Sequence, residues 1–262
     1  MRPLLAAHGL WVRLGGRWVL RGVDVEAYPG MVLGVIGPNG AGKTTLLKTL
    51  AGLTPASRGS ITVLGKCIGE YDRRMYARLV ALPLLSPAAG FRITVEEAFR
   101  ITLRGLGLPY RRDAVIEVAE ELGISGLMSR RLDTLSSGEL QLVNIAIGLA
   151  RRPRILLLDE PTSHLDIRRR IEVMEVLRCY ARRSGASVVM AIHDLKLAAD
   201  YSDHLIALRG GVVVASGGVD QVFRDEVLSE TYSARIRVVR LEGLGLLPVV
   251  LHDGGGRGGE GC

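Results

Sequence analysis

The sequence predicts an α/β fold: a mostly parallel sheet covered by helices on both faces, with an antiparallel β subdomain ahead of it and a helical subdomain inserted into it. Three observations carry this. Apolar runs of strand length, such as Met31–Ile36 and Ile155–Leu158, alternate with helical patterns, as they do where a parallel sheet is buried between helices. Two N-terminal segments instead alternate apolar and polar residues, the period of a half-buried antiparallel strand. After Thr94 the period turns helical and stays so until Ala150.

Leu10 to Leu14 and Val19 to Val25 read as the antiparallel strands. Met31–Ile36 is a continuous apolar strand that runs into the glycine-rich turn Gly37-Pro38-Asn39-Gly40-Ala41-Gly42-Lys43-Thr44-Thr45. Thr44–Ala51 is the helix behind that turn, and Gly52 ends it. Ile61–Leu64 and Leu79–Leu82 read as further strands. Thr94-Val95-Glu96-Glu97 has the form of a capping box, and helical patterns follow through Leu103, over Arg111–Leu122 and over Gly138–Ala150. The chain returns to a buried strand at Arg154–Leu158. A helix over Ile167–Arg182, a strand over Ser187–Ile192 and a helix over Leu195–Tyr201 follow, then a strand pair at Leu205–Arg209 and Val212–Ala215. Residues 219–251 read as a short helical and β extension. The organisation expected is one domain over 1–252, its core formed by 1–84 and 152–252 and its helical insert by 85–151. The tail, 253–262, is glycine-rich, lacks core-forming residues and is expected to be disordered.

A chain of 262 residues can bury a substantial core. No apolar run reaches the roughly 18 residues that span a bilayer. The start, Met1-Arg2-Pro3-Leu4-Leu5, is interrupted by His8 and Arg13 too soon for a signal peptide, so a cytoplasmic protein is expected. Cys67, Cys179 and Cys262 have neither metal nor disulfide spacing, which suits a reducing compartment. Net charge is +7 and nearly all of the positive charge is arginine. The arginines fall in short pairs such as Arg73-Arg74 and Arg182-Arg183, with no long basic tract. This reads as a solvated surface, or one that meets an anionic membrane or a membrane partner; nucleic acid is not expected.

The glycine-rich turn carries the chemistry. It fits the pattern Gly, four residues, Gly, Lys, Ser/Thr in full. Gly37, Gly40 and Gly42 let the turn Pro38-Asn39-Gly40-Ala41-Gly42 curl round a polyphosphate without Cβ clashes, its backbone N–H groups starting at Asn39 because proline has none. The helix that begins near Lys43 aims its positive end at the same phosphates. Lys43 supplies a mobile charge to the β- and γ-phosphates, the Thr44 hydroxyl can ligate Mg²⁺, and Thr45 is counted with the same nucleotide-binding stretch. Farther on, Ile155-Leu156-Leu157-Leu158-Asp159-Glu160 is an apolar strand ending in two acids. Asp159 is placed to hold the hydration shell of Mg²⁺ and Glu160 to polarise an attacking water. Strands ending in acids are common, and this one gains its weight from sharing a chain with a complete phosphate loop.

Three more segments complete the pattern. Leu135-Ser136-Ser137-Gly138-Glu139 opens a helix before the acidic strand, Ser163-His164-Leu165-Asp166 follows Glu160, and His193-Asp194 ends the next strand. In this order the motifs resemble the nucleotide-binding subunit of an ATP-binding cassette (ABC) transporter, over about residues 4 to 250. The stretch from His193 to Asp203 and the ending Glu230-Thr231-Tyr232 with Ile236-Arg237-Val238-Val239 are similar to the ATPase subunits of importers for iron–siderophore, haem and cobalamin. The resemblance implies a P-loop NTPase (RecA-like) core that hydrolyses ATP with Mg²⁺. It implies a homodimer on the cytoplasmic face of the membrane, bound to integral-membrane permease subunits and served by a separate substrate-binding protein. Ser136, Ser137 and Gly138 would then meet the γ-phosphate of ATP on the opposite subunit, although Ser136-x-x-Glu139 also reads as an ordinary capping box. His193 would contact the γ-phosphate and orient the water, and Asp166 would couple the two sites. The insert, around Pro87–Arg104, would meet the permease loops. His164 and the run Arg168-Arg169-Arg170 read as solvated loop and helix face.

The sequence departs from that family where three side chains are expected. Leu14 stands where an aromatic residue usually stacks on adenine; Trp11 and Trp18 are near, each with a buried packing role as the alternative. Leu84 stands where a Mg²⁺-contacting Gln is usual, and in Leu135–Glu139, the segment that corresponds to the family's signature, Ser137 stands where glycine is usual. Leu142 and Ile147 replace the usual arginines after it. Lys43, Thr44, Asp159, Glu160 and His193 are all retained, so an active ATPase is expected. The competing readings are a soluble ABC ATPase in cofactor assembly or nucleic-acid work, and a slow subunit that mainly binds ATP.

Overall fold

Residues 2–84 and 92–251 are described by the computed structural model. The expected tail at 253–262 and the first residues of the insert, through 91, lie outside the described residues.

The N-terminal alternation becomes a long antiparallel pair, β1 (Leu5–Leu14) and β2 (Arg17–Ala27). Gly15 and Gly16 join them with φ of 53° and 80°, the doubly positive conformation a two-residue hairpin needs. β3 (Val32–Ile36) leads into the glycine-rich turn and α1 (Lys43–Leu50). β4 (Arg58–Val63) and β5 (Lys66–Cys67) extend the antiparallel sheet in the order β2-β1-β4-β5. α2 (Arg73–Leu79) and β6 (Val80–Ala81) come next. α3 (Val95–Gly105), α4 (Arg112–Glu121) and α5 (Ser137–Ala150) form the helical insertion. The chain then runs through β7 (Ile155–Asp159), α6 (Ile167–Ser184), β8 (Ser187–Ala191) and α7 (Leu195–Tyr201). β9 (His204–Arg209), β10 (Val212–Gly218), α8 (Val219–Val222), α9 (Asp225–Tyr232) and the hairpin β11 (Ile236–Leu241) with β12 (Gly245–Val250) complete it.

The main sheet has the order β10-β9-β3-β8-β7-β6, parallel except for the β9–β10 pair. Its central strands are buried on both faces, and their alternate side chains divide between two cores. Val32, Ile36, Leu156, Leu158, Val188, Met190, Leu205 and Ala207 face the core shared with α3 to α7 and α9. Leu33, Val35, Ile155, Leu157, Val189, Ala191, Ile206 and Leu208 face the core shared with α1 and the antiparallel sheet. The helical insertion thus packs into the same core as one face of the sheet.

Thr94 and Glu97 form the capping box expected of them: the Glu97 amide donates to Thr94 Oγ1 at 3.2 Å, and the Thr94 amide to Glu97 Oε2 at 2.7 Å. Two readings need correction. The strand read at Leu79–Leu82 shrinks to Val80–Ala81, because Arg73–Leu79 is helical. That helix buries only Tyr76, whose hydroxyl donates to the Leu50 carbonyl at 2.5 Å, so it has no apolar stripe for periodicity to reveal. Trp11 and Trp18 are not buried either: Trp18 is 40% exposed. The two rings meet edge to face at 5.3 Å on the outer side of the hairpin, with Arg13 over Trp18 and Arg58 over Trp11.

Candidate active site

Three strands adjacent in the sheet, β3, β8 and β7, end side by side. β3 runs into the glycine-rich loop, His193 lies just beyond β8, and β7 ends at Asp159. Parallel order therefore gathers Lys43, His193, Asp159 and Glu160 at one edge, where ligands of open α/β sheets bind.

The loop needs its glycines for space as well as for conformation. Gly37 has φ of 146°, and a Cβ there would lie 2.0 Å from the Leu208 carbonyl oxygen. Gly42 has φ of 107°, and a Cβ there would lie 2.8 Å from Leu20 Cδ2. From Asn39 to Thr45 the loop lines a cavity of about 180 Å³ together with Val19 and Glu160. α1 starts in this cavity with no side-chain cap and no acidic residue in its first turn. Its first N–H groups and its positive end are thus left to a bound anion. Lys43 is buried, and its Nζ donates to the carbonyls of Gly37 at 2.7 Å and Pro38 at 3.0 Å. Burial lowers its pKa, and the negative charges of Glu160 and Asp159 oppose that shift.

Glu160 occupies the left-handed region, with φ of 52°. For a residue with a side chain this conformation costs of order 1 kcal/mol. Backbone contacts hold it there. Its N–H donates to Ala191 O at 3.1 Å, and its carbonyl accepts from Ser163 N at 3.0 Å, Ser163 Oγ at 2.9 Å and Gln141 Nε2 at 3.3 Å. The carboxylate meets His193, with Oε1 2.5 Å from Nε2. An acid and an imidazole so paired can hold a water and take its proton.

Asp159 Oδ1 is buried and has no hydrogen-bond partner among the described residues. A buried, unpartnered carboxylate oxygen is the donor that a hard divalent cation prefers, and the exposed Thr44 hydroxyl on the loop cavity is a second oxygen of the same kind. These residues fit Mg²⁺. Beside Asp159, a cavity of about 250 Å³ is lined by Leu84, Gln141 and Asn144, with Leu84 55% exposed.

The signature segment is elsewhere. Ser136 caps α5: its Oγ accepts from the Glu139 amide at 3.2 Å, and its own amide donates to Glu139 Oε2 at 2.8 Å. Ser136, Ser137 and Gly138 do not line the phosphate-loop cavity. A Cβ at Gly138 would lie 2.8 Å from the His164 carbonyl oxygen, so the segment packs on the turn after Glu160. Asp166 is exposed and caps α6, accepting from the Arg169 amide at 2.8 Å. Of the arginine run, Arg168 is a surface residue paired with Glu172. Arg170, read as surface, instead ties the turn down by donating from Nε to Leu165 O at 2.8 Å.

Two contributors escaped the sequence reading. Gln141 reaches Glu160 from α5; its place one helical turn beyond Gly138, on the same face, is the signal that could have found it. The Tyr232 hydroxyl accepts from the Gly37 amide at 3.0 Å, and no local pattern announces a contact across 195 positions.

Known proteins resemble this chain in sequence and in fold. The family described as ABC transporter matches residues 20–163, more than half of the chain. The hemin import ATP-binding protein HmuV of Gloeobacter violaceus is 41% identical over 96% of this chain and 94% of its own length. The ferric enterobactin transport ATP-binding protein FepC of Escherichia coli is 34% identical over 90% of this chain and 89% of its own. Among solved structures, an ATP binding subunit of an ABC transporter superposes with a TM-score of 0.76 at 26% identity, over 87% of this chain and 99% of the other. The phosphate loop, the paired acids and the signature helix thus sit on a fold and in a sequence of one kind, and the chain belongs to the ABC transporter family as one of its ATP-hydrolysing subunits.

Proposed function

We propose that this chain powers an importer of a metal chelate, of the class of haem, iron–siderophore or cobalamin, by dimerising on ATP at the cytoplasmic face of the membrane. The observation that carries the dimer is the separation of the two phosphate-binding segments. The loop at Gly37–Thr45 opens on one cavity, while Ser136–Gly138 lie outside it. A γ-phosphate held by the loop needs the signature of a second copy to be enclosed. The names of the relatives, one for hemin and one for ferric enterobactin, support the substrate class. Among the described residues no helix is long and apolar enough to cross a membrane, and in this reading permease partners supply the translocation path. In this reading nucleic acid is not a partner, because the arginines fall in short pairs with no long basic tract, and a substrate-binding protein outside the membrane would deliver the chelate.

In this reading residues 1–84 and 152–252 form the core, and 85–151 form the insert that meets the permease. Lys43 leaves the carbonyls of Gly37 and Pro38 and moves to the β- and γ-phosphates, while the N–H groups from Asn39 to Thr45 take the remaining oxygens. Thr44 and Asp159 would hold Mg²⁺, which supplies charge neutralisation at the β- and γ-oxygens. Glu160 accepts the proton of the attacking water, and His193, paired with Glu160, contacts the γ-phosphate and orients that water. The partner's Ser136 and Ser137 present hydroxyl and N–H donors to the γ-phosphate from the head of α5, and Asp166 ties the two sites together.

Glu160→Gln keeps the shape and removes the base. It should slow hydrolysis roughly 10²-fold or more and accumulate an ATP-bound dimer in sizing runs with ATP and Mg²⁺. A variant that hydrolyses slowly yet stays monomeric would sink the dimer reading. Capture of a polytopic permease with the tagged chain, and chelate uptake that stops with Glu160→Gln, test the importer assignment.

A further inference from the structure

Gly37, the first residue of the phosphate loop, is gripped from three sides. Its carbonyl accepts from Lys43 Nζ at 2.7 Å. Its Cα faces the Leu208 carbonyl with no room for a Cβ. Its amide lies just past the end of β3, where the parallel ladder with β9 stops at Ile36↔Ala207. That amide donates to the Tyr232 hydroxyl at 3.0 Å. Tyr232 is the last residue of α9, far from the loop in sequence and part of neither the paired acids nor the signature.

The turn that carries Tyr232 is itself fixed. Arg209, at the end of β9, donates from Nη1 to Glu230 O at 2.7 Å. Thr231 is fully buried. Ser233 takes φ of 54° and stops the helix, and Ser229 Oγ accepts from the Ile236 amide at 2.9 Å. Burial pushes the Tyr232 phenol up to about 12, so at working pH the group that accepts from Gly37 is the uncharged hydroxyl.

We propose that Tyr232 is a positioning residue for ATP: its hydroxyl holds the Gly37 amide, and so the start of the phosphate loop, in the shape that receives the phosphates. The physical need arises when ATP binds. Lys43 holds the loop by the carbonyls of Gly37 and Pro38 only while it is not on phosphate. When Lys43 turns to the anion those two bonds are given up, and the Tyr232 contact is the side-chain hydrogen bond that stays on Gly37. Through it the C-terminal extension becomes part of the nucleotide site. This inference rests on the reading of the loop as the ATP site.

Tyr232→Phe removes the acceptor and keeps the ring. The loss of one such bond should raise the Kd for ATP and the KM about five-fold, with kcat at saturating ATP changed by less than about two-fold and the melting temperature little moved. An unchanged Kd, whatever happens to the melting temperature, makes the contact structural only and overturns the proposal. Amide exchange in the wild-type chain gives a check that needs no variant: the Gly37 amide should exchange far more slowly than the Gly40 amide, and equal exchange overturns the proposal as well. A wild-type chain that does not bind ATP at all would instead remove the underlying reading of the loop, so the two failures are distinct.

Discussion

The phosphate loop and the signature segment both offer donors at a helix N-terminus, yet the chain holds them in opposite ways. Beyond the local bonds of Lys43, the loop is fixed by groups distant in sequence: Tyr232 on Gly37, the Leu208 carbonyl against its Cα, and the Gly211 amide donating to Ala41 O at 2.9 Å. The signature is fixed by hydrogen bonds to near neighbours, with Ser136 and Glu139 closing on each other and Arg130 donating to Glu139 Oε1 at 2.9 Å. A cradle must keep its shape against the charge it receives, so it is built into the centre of the fold. The local box instead turns the Ser136 amide and hydroxyl onto Glu139 Oε2, so under the proposed dimer a phosphate on another molecule must draw these donors from that carboxylate.

The sharpest break in this comparison is Gly37→Ala. The new Cβ would sit 2.0 Å from the Leu208 oxygen at a φ of 146°. Strain and overpacking together should cost about 3 kcal/mol or more of stability, and the loop can recover only by losing its shape. ATP binding should vanish in calorimetric titration, with a large drop in the urea midpoint. A Gly37→Ala chain that binds ATP normally would mean the loop is far more pliable than its contacts imply.

Ser136→Ala asks whether the signature acts beyond its own helix. Loss of the cap should cost about 1 kcal/mol in urea unfolding of the monomer. If the hydroxyl also meets a phosphate across the dimer, the ATP-dependent dimer of the Glu160→Gln chain should weaken a further ten-fold or so, the scale of one hydrogen bond to a charged group. A lowered urea midpoint with an unchanged dimer would leave Ser136 as a cap alone.

What the sequence made legible follows the same division. The two capping boxes, the helix over Leu195–Tyr201 and the buried strands were readable because each is specified by residues close together. The candidate site was readable where a motif is contiguous, as in the loop and the Asp159-Glu160 pair. What escaped was set through space or by too little local signal. The Tyr232 contact depends on how α9 docks beside β9. The helix over Arg73–Leu79 has a single buried residue. Trp11 and Trp18 satisfy each other and two arginines on the surface, an arrangement that hydrophobicity alone assigns to the core.

Leu84→Gln probes the boundary between the two regions. Leu84 is exposed on the cavity that Asp159 shares with Gln141 and Asn144 of α5, the signature helix. Leucine cannot ligate a hard cation, so this position brings no side-chain oxygen to the cavity. A glutamine would restore an oxygen donor there. Hydrolysis stimulated by reconstituted permease should rise a few-fold, the worth of about one hydrogen bond, with basal hydrolysis less affected. If wild type is already strongly stimulated and the variant leaves the ratio unchanged or lower, the missing oxygen is not what limits coupling.

The smallest effect concerns the end of the proposed ATP site where adenine would lie. Leu14 is 45% exposed and offers contact area without a ring face. Aromatic stacking adds about 0.5–1.5 kcal/mol beyond burial, so Leu14→Tyr should tighten ATP binding about two- to ten-fold and leave affinity for tripolyphosphate unchanged. Trp18 is the competitor. It lies across the hairpin, paired in register with Arg13, and precedes Val19, which lines the phosphate cavity. Should Trp18 already stack on the base, Leu14→Tyr changes nothing, Trp18→Ala weakens ATP binding, and ATP quenches tryptophan fluorescence in the wild-type chain. Should the base be held loosely, Trp18→Ala is neutral and Leu14→Tyr gains affinity. The two titrations, run with ATP and with tripolyphosphate, separate these cases because only the base can feel either ring.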